Sequence, residues 1–491
     1  MEWLRLALAM LLPWLAGAAS VAWAWKPKTP GGTIAALGYG FPVGLLMTAG
    51  LIVLLDVAGA GQAFWSACGL LALIAAGGWY VSGMQQRLHP APLVDGWRGL
   101  RAELRESHPL LRLGLGLLLV LIVLRLAGTA VEVSLRPLFP WDGWNAWALR
   151  AKVWFESGEL VALGGRRHWQ TAHDMLHNVG GTIHPPTVSL FHLWVARAMG
   201  RWHDALINLP WLLLGVSLLL ALYGQLRVLE APRLLALAAC YALISMPLVA
   251  THLMLGTYAD IWIMALFGLA GMSLYLFLTG HGRGHGVLAV ALCLALLAIK
   301  ASGMIWVAAV LAGMLVGLVR GRWLIAAALV GALGFMAAYF TTGIAFELPR
   351  LGTVAMAPGD WRLPLELEDG WLNPAVLHAV TQHLFVWSSW HLFWFAAVAV
   401  LMALTITSAR DRAMRGMLAS LLTGLTLLYG SLFLTRLSEY AILGTVTSRV
   451  LMAPALLLVF LGAVLVVRRC TEGRRAQADE AREADMRAVS A

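Results

Sequence analysis

Apolar runs of about twenty residues recur along almost the whole chain, separated by short stretches in which arginine, histidine, proline and glycine gather. A run of roughly 20 apolar residues crosses a ~30 Å hydrocarbon core as a helix, and the helix satisfies its own backbone there. The pattern predicts spans near 2–24, 33–55, 62–82, 111–134, 205–226, 234–251, 258–279, 286–299, 302–319, 323–343, 384–407, 416–435 and 448–468, about thirteen in all. The run 185–198 is apolar as well. It is short, begins at His184-Pro185-Pro186 and carries Arg197, which marks it as a half-span or re-entrant helix. The predicted fold class is an all-α polytopic transmembrane helical bundle.

Composition agrees: 60% hydrophobic and 12% charged residues, with a mean hydropathy of +0.78, leave too little polar surface to cover a water-soluble globule of 491 residues. Placing Met1 outside puts Lys26 and Lys28, the arginines from Arg87 to Arg105, Arg227, Arg233, Arg283, Arg320, Arg322, Arg410 to Arg415 and Arg468 to Arg475 on one cytoplasmic face, as the positive-inside bias requires. Counting 185–198 as a crossing breaks this agreement from residue 205 onward. The net charge of +10 is therefore flanking charge that orients helices, and without a basic-aromatic surface module no nucleic-acid partner is expected. The first run is long for a signal peptide and its leading segment sets only Arg5 against Glu2, so it reads as a retained span. Cys68, Cys240, Cys293 and Cys470 fall in spans or at the last boundary and imply no disulfide framework. No internal repeat of useful length is visible, which weighs against transporters built from repeated halves.

On this topology the unusual polar clusters share the extracytoplasmic side. They are PWDGWNAWALRAKVWFESG (Pro140 to Gly158), the loop leading to His184, Thr257-Tyr258-Ala259-Asp260, Lys300, the acidic loop 344–383, and Arg436 to Arg449. In the first, Trp144, Trp147, Ala151 and Trp154 fall on one face of a helix. That spacing predicts a juxtamembrane helix lying in the interface, its tryptophans at headgroup level and Arg150 and Lys152 on its flank meeting lipid phosphates. Asp142 at its start is either an N-cap accepting backbone N–H groups or a general base held over a membrane-embedded cleft. In the histidine-rich loop, with His168, His173, His177 and His184, the segment HDMLH puts His173 and His177 at i, i+4, where they could share a metal on a helix; no third ligand stands out and no metal site is assigned. Lys300 is one of four lysines beside 31 arginines and lies in an apolar run, where a charge costs about 2.5–3.5 kcal/mol and calls for a partner unless it snorkels to the surface. Arg449, at the outer end of the last span, faces the same choice.

An acid on a short juxtamembrane helix, followed by HPPTVSLFHLWVARAMG and then by YADIWIMALFGLAGMSLYLFL, resembles the GT-C superfamily of integral membrane glycosyltransferases. The likeness is to the branch with protein O-mannosyltransferases and lipid A aminoarabinose transferases, and it covers roughly residues 111–468. It implies a GT-C-like catalytic module over 111–468, additional spans and a cytoplasmic loop over 1–110, and a cytoplasmic tail over 469–491. It further implies that Asp142 and Asp260 are the catalytic acids, that Lys300 in LLAIKASGMIWV lies near the donor phosphate, and that Arg449 in SRVLMAPALLLVFLGAV does the same. Where many relatives carry two adjacent acids, this chain has Asp142-Gly143.

The chemistry the residues allow leads the same way. No run outside the membrane is long enough for a nucleotide-binding domain, Gly38, Gly40 and Gly44 have the wrong spacing for a dinucleotide fingerprint, and no phosphate-binding loop of the Walker type occurs. A lipid-linked donor fits better: inverting transfer from a polyprenyl-phosphate sugar to an extracytoplasmic glycan, lipid or protein needs a base for the acceptor proton and cations for the departing phosphate. The expected site has Asp142, the base, and Asp260 as catalytic acids, Lys300, Arg449, Lys152 and Arg150 on the donor phosphate, and Trp141, Trp144, His184 and Tyr258 as substrate contacts. No cofactor is assigned, a divalent metal is left open, and the expected setting is a bacterial inner membrane. The alternatives are a polysaccharide ligase or polymerase using a polyprenyl-diphosphate donor and a lipid-sugar flippase.

Overall fold

The computed structural model describes every residue except 28, 62, 85–97, 100, 103–104, 106–107, 165–176, 183, 320, 349–351, 359, 363–372, 435–436 and 491. In chain order the first helices are α1 (Glu2–Trp25), α2 (Pro30–Val57), α3 (Phe64–Met84), α4 (Pro109–Leu135), α5 (Ala148–Ser157), α6 (Thr187–Met199) and α7 (Leu209–Val228). A central group follows: α8 (Arg233–Ser245), α9 (Pro247–Leu255), α10 (Asp260–Leu278), α11 (Arg283–Ile299), α12 (Gly303–Leu318) and α13 (Gly321–Thr341). The last are α14 (Pro374–Thr381), α15 (Phe393–Ser408), α16 (Arg412–Leu434), α17 (Leu437–Ile442), α18 (Thr447–Val450) and α19 (Ala455–Ser490).

Among the described residues seven helices are long and apolar enough to cross a membrane: Glu2–Trp25, Pro30–Val57, Phe64–Val81, Pro109–Leu135, Leu206–Val228, Asp260–Leu278 and Arg412–Phe433. The pair α8–α9, bent by 65°, makes an eighth if it is one broken span. Other apolar runs are cut short by identifiable residues. Pro247, which has no N–H to continue the ladder, starts α9 at the bend. Lys300 leaves helical geometry at φ −153°, ψ 151° and separates α11 from α12. A turn through Trp387–Leu392 holds α15 to 16 residues. The bundle is not purely helical, as Ile344–Leu348, Gly352–Ala357 and Asp360–Arg362 form a three-stranded antiparallel sheet, with Phe346 opposite Val354 and Met356 opposite Trp361. The alternation in this loop is short and its charges hide it from a search for apolar runs.

Small residues let the first helices approach closely, the usual device where lipid supplies no hydrophobic drive between helices. A Cβ on Gly44 would lie 1.6 Å from the Pro13 carbonyl oxygen, and one on Gly38 would lie 2.1 Å from the Ala221 nitrogen, so α2 is clamped between α1 and α7. A polar node ties these helices to the centre: the Tyr39 hydroxyl donates to the Leu269 carbonyl at 2.9 Å, while Gln225 donates to it at 2.6 Å and Ser273 at 3.2 Å. The N-terminal helices thus pack into the same core as α10, whose residues are buried from Asp260 through Leu276.

The two ends of the bundle differ. At one, Arg412 donates to the Leu318 carbonyl at 2.7 Å, Arg468 pairs with Asp411, and Gly284 abuts the Ala24 carbonyl, so the basic residues flanking α1, α11, α12, α16 and α19 gather there. Lys28, Arg87 and Arg320 lie outside the described residues. At the other end lie Asp142, Asp260, Lys300 and Arg449. The 13-residue α6, about 20 Å long at 1.5 Å per residue, is followed by Asn208, which packs against Gly256 at that same end, and preceded by His184. It enters and leaves on one side, as a re-entrant element does.

Candidate functional site

Asp142 lies seven residues beyond the end of α4, where Pro140 accepts from the Gly143 and Trp144 N–H groups at 2.9 and 3.2 Å and starts a π-helical turn, Gly143–Trp147, that runs into α5. Asp142 has helical backbone angles, φ −62° and ψ −26°, in a first turn that already begins at Trp141. Its carboxylate makes no capping hydrogen bond. It accepts instead from Arg449 Nη1, brought in by the short helix α18. The Arg449 guanidinium also lies 5.1 Å over the Tyr258 ring.

Asp260 opens α10 and is 4% exposed; Lys300 Nζ donates to its Oδ1 at 2.7 Å. The break between α11 and α12 is what frees the lysine backbone from the helix and turns the side chain inward, so Lys300 does not snorkel outward. Removing one member of such a pair strands a buried charge, at a cost of about 3–5 kcal/mol. Several buried polar atoms here have no hydrogen-bond partner among the described residues: Asp260 Oδ2, Arg449 Nε, Thr257 Oγ1, His252 Nε2 and His184 Nδ1. These are five of the twenty buried polar side-chain atoms without a hydrogen-bond partner among the described residues, and they stand beside the two ion pairs.

The tryptophan stripe is present but faces the protein. Trp147, Ala151 and Trp154 are buried, with Trp154 Nε1 donating to the Val161 carbonyl at 3.0 Å, whereas Trp144 is 45% exposed and meets the exposed Trp141 edge-on at 4.5 Å. The wide π turn rotates Trp144 off the face that uniform α-helical spacing gives it. Arg150 is also turned inward, correcting the expectation that it meets lipid phosphates: it is buried and donates to the carbonyls of His184 at 3.1 Å and Gly181 at 2.8 Å. That tether holds His184 stacked on Trp147, ring centroids 5.3 Å apart. Burial, then the nearby Lys300 charge, push the His184 pKa down to about 4, the Arg150 charge adding to this and the Asp260 and Asp142 carboxylates opposing it. The ring is therefore neutral at pH 7.

Of the predicted site residues, Asp142, Asp260, Lys300, Arg449, Tyr258 and His184 form one electrostatic neighbourhood. Lys152 is exposed, its ammonium 5.9 Å from the Trp202 ring. His177 sits in a two-residue strand, Asn178 pairing with Gly164, so it has no helical i, i+4 face; His168 and His173 lie outside the described residues. Among the described residues no group of three or more His, Cys, Asp or Glu stands together as a metal site.

Sequence reasoning missed two contributors. Gly143 permits a close approach in the site, since a Cβ there would come within 2.6 Å of Thr257 Oγ1, and Thr257 itself has φ 58°. The Asp-Gly pair is thus dictated by packing: the site has no room for a second acid at 143. His252 lies within an apolar run that disguised it; it is buried, with its ring 5.0 Å from Tyr258 and Nδ1 2.9 Å from the Leu248 carbonyl. No family model, no curated protein and no solved structure matches the chain.

Proposed function

We propose that this chain is an inverting membrane glycosyltransferase of the GT-C kind, taking its sugar from a polyprenyl-phosphate donor and delivering it to an extracytoplasmic glycan, lipid or protein. In this reading the bundle has about thirteen spans, the basic end faces the cytoplasm of a bacterial inner membrane, and the ion-pair end opens outside. The observation that carries it is the convergence of Asp142, Asp260, Lys300 and Arg449, from four distant segments, on one end of a helical bundle, with unmet polar atoms between them.

The chemistry follows from the pairing. While Arg449 holds the Asp142 carboxylate, both charges are committed. A donor phosphate would compete for the guanidinium and release the carboxylate, which then takes the acceptor O–H proton as that oxygen attacks the anomeric carbon. The bond from the anomeric carbon to the phosphate oxygen breaks with its electron pair on the phosphate, where Lys300 and Arg449 stabilise the added charge. Asp260 positions Lys300, and the neutral His184 offers a ring nitrogen to a sugar hydroxyl.

The test is turnover of polyprenyl-phosphate sugars by the purified protein. Acceptor-dependent release of polyprenyl monophosphate supports the proposal. Release of diphosphate from a diphosphate-linked glycan supports the ligase reading instead, and lipid translocation without turnover supports the flippase.

A further inference from the structure

Arg449 is presented by α18, a helix of four residues that is too short to hold its own orientation. Side chains anchor it instead. Thr447 is fully buried, and its hydroxyl donates to the Ala441 carbonyl near the end of α17 at 3.4 Å. The next residue, Ser448, shares a hydrogen bond of 2.7 Å with Nδ1 of His383, 65 positions earlier in the chain. Ser448 is 8% exposed and His383 2%, so the bond is shielded from water.

His383 is itself held in place. It lies in a π turn, Gln382–Val386, that follows α14, with its ring 4.0 Å from the Trp387 ring. Gly444, at φ 71°, lets the α17–α18 link pass close to the same imidazole, since a Cβ there would stand 3.1 Å from His383 Nε2. Ser448 and Arg449 are consecutive on one helical turn, so whatever fixes the Ser448 hydroxyl also fixes the direction in which Arg449 leaves the backbone. Asp142, which receives the guanidinium, stands immediately before a second π turn, Gly143–Trp147.

We propose that His383 is a positioning residue: through Ser448 it sets α18 so that the Arg449 guanidinium meets Asp142 and, on the transfer reading above, the donor phosphate. The ion-pair half of this holds whatever reaction the protein carries out, and only the donor half rests on that reading.

A double-mutant cycle in unfolding of the full chain tests the ion-pair half without reference to activity. No hydrogen bond joins Ser448 to Asp142 among the described residues, and sites with no shared partner add to within about twofold in the unfolding equilibrium. If Arg449 links them, Ser448→Ala and Asp142→Ala should together cost less than their separate losses combined, by about threefold or more. His383→Leu in place of Ser448→Ala should behave the same way. His383→Asn, whose amide stands where Nδ1 does, should leave the Asp142→Ala loss as it is in the wild type. Additive losses would overturn the proposal; Asp142→Asn takes the place of Asp142→Ala if that variant does not fold. For the donor half, Ser448→Ala should weaken binding of a polyprenyl-phosphate sugar about tenfold, the change that one hydrogen bond to a charged group produces. It should weaken binding no further in Arg449→Ala, and further weakening there would overturn positioning through Arg449. A wild type that binds no such donor would contradict the transfer reading, and the unfolding cycle would still decide the role of His383.

Discussion

Asp142 and Arg449 lie 307 positions apart in sequence and form one ion pair, with the Arg449 guanidinium also lying over the Tyr258 ring. The ring contact makes the pair sensitive to the shape of the cation as well as its charge. Arg449→Lys keeps the charge and gives up the planar fork. Loss of the cation–π contact should lower unfolding stability by about 0.5–2 kcal/mol, as should Tyr258→Leu, while Tyr258→Phe should be tolerated. A Phe variant as unstable as the Leu variant would show that the ring face is not what matters.

The second pair predicts a rescue. Lys300→Met strands the Asp260 carboxylate, 5% exposed at its side chain, and should cost about 3–5 kcal/mol. Adding Asp260→Asn should recover most of that stability without restoring activity. Melting curves of the purified single and double variants decide: a double variant no more stable than Lys300→Met would mean that the pair is not coupled.

At Gly143, an alanine should destabilise by about 1–3 kcal/mol through overpacking against Thr257. Thr257→Gly removes both the obstructing side chain and a β-branched residue at positive φ, and should restore stability to Gly143→Ala. Denaturation midpoints across this four-variant cycle would show additive losses if the contact were unimportant.

These cases show what the sequence could and could not disclose. The four charged residues were legible because an ionisable group in an apolar context has few structural uses. The helix–helix contacts that use Gly38 and Gly44, the π turn that rotates Trp144, and the inward turn of Arg150 were not, since each depends on which neighbour packs opposite. The three-stranded sheet was hidden because its short alternation lies in a loop dominated by charge.

His184 gives the site a pH signature. Its pKa falls from 6.5 to about 4 on folding, so the unfolded chain binds more protons between those values and stability drops as pH is lowered through that window, flattening below about 4. The slope attributable to one group is at most about 1.4 kcal/mol per pH unit. His184→Gln should remove this part of the slope between pH 6.5 and 4. Unfolding curves that shift in parallel for both proteins across that range would contradict a buried neutral imidazole.

The most direct measurement is sugar transfer by Asp142→Asn, set beside its unfolding stability and its donor binding. The amide keeps the shape and can still accept from Arg449, but it cannot take the acceptor proton. The account predicts a folded protein that binds the polyprenyl-phosphate donor and transfers sugar about 10²–10⁴ times more slowly than the wild type. Transfer within a few-fold of wild type by Asp142→Asn would contradict a base at this position.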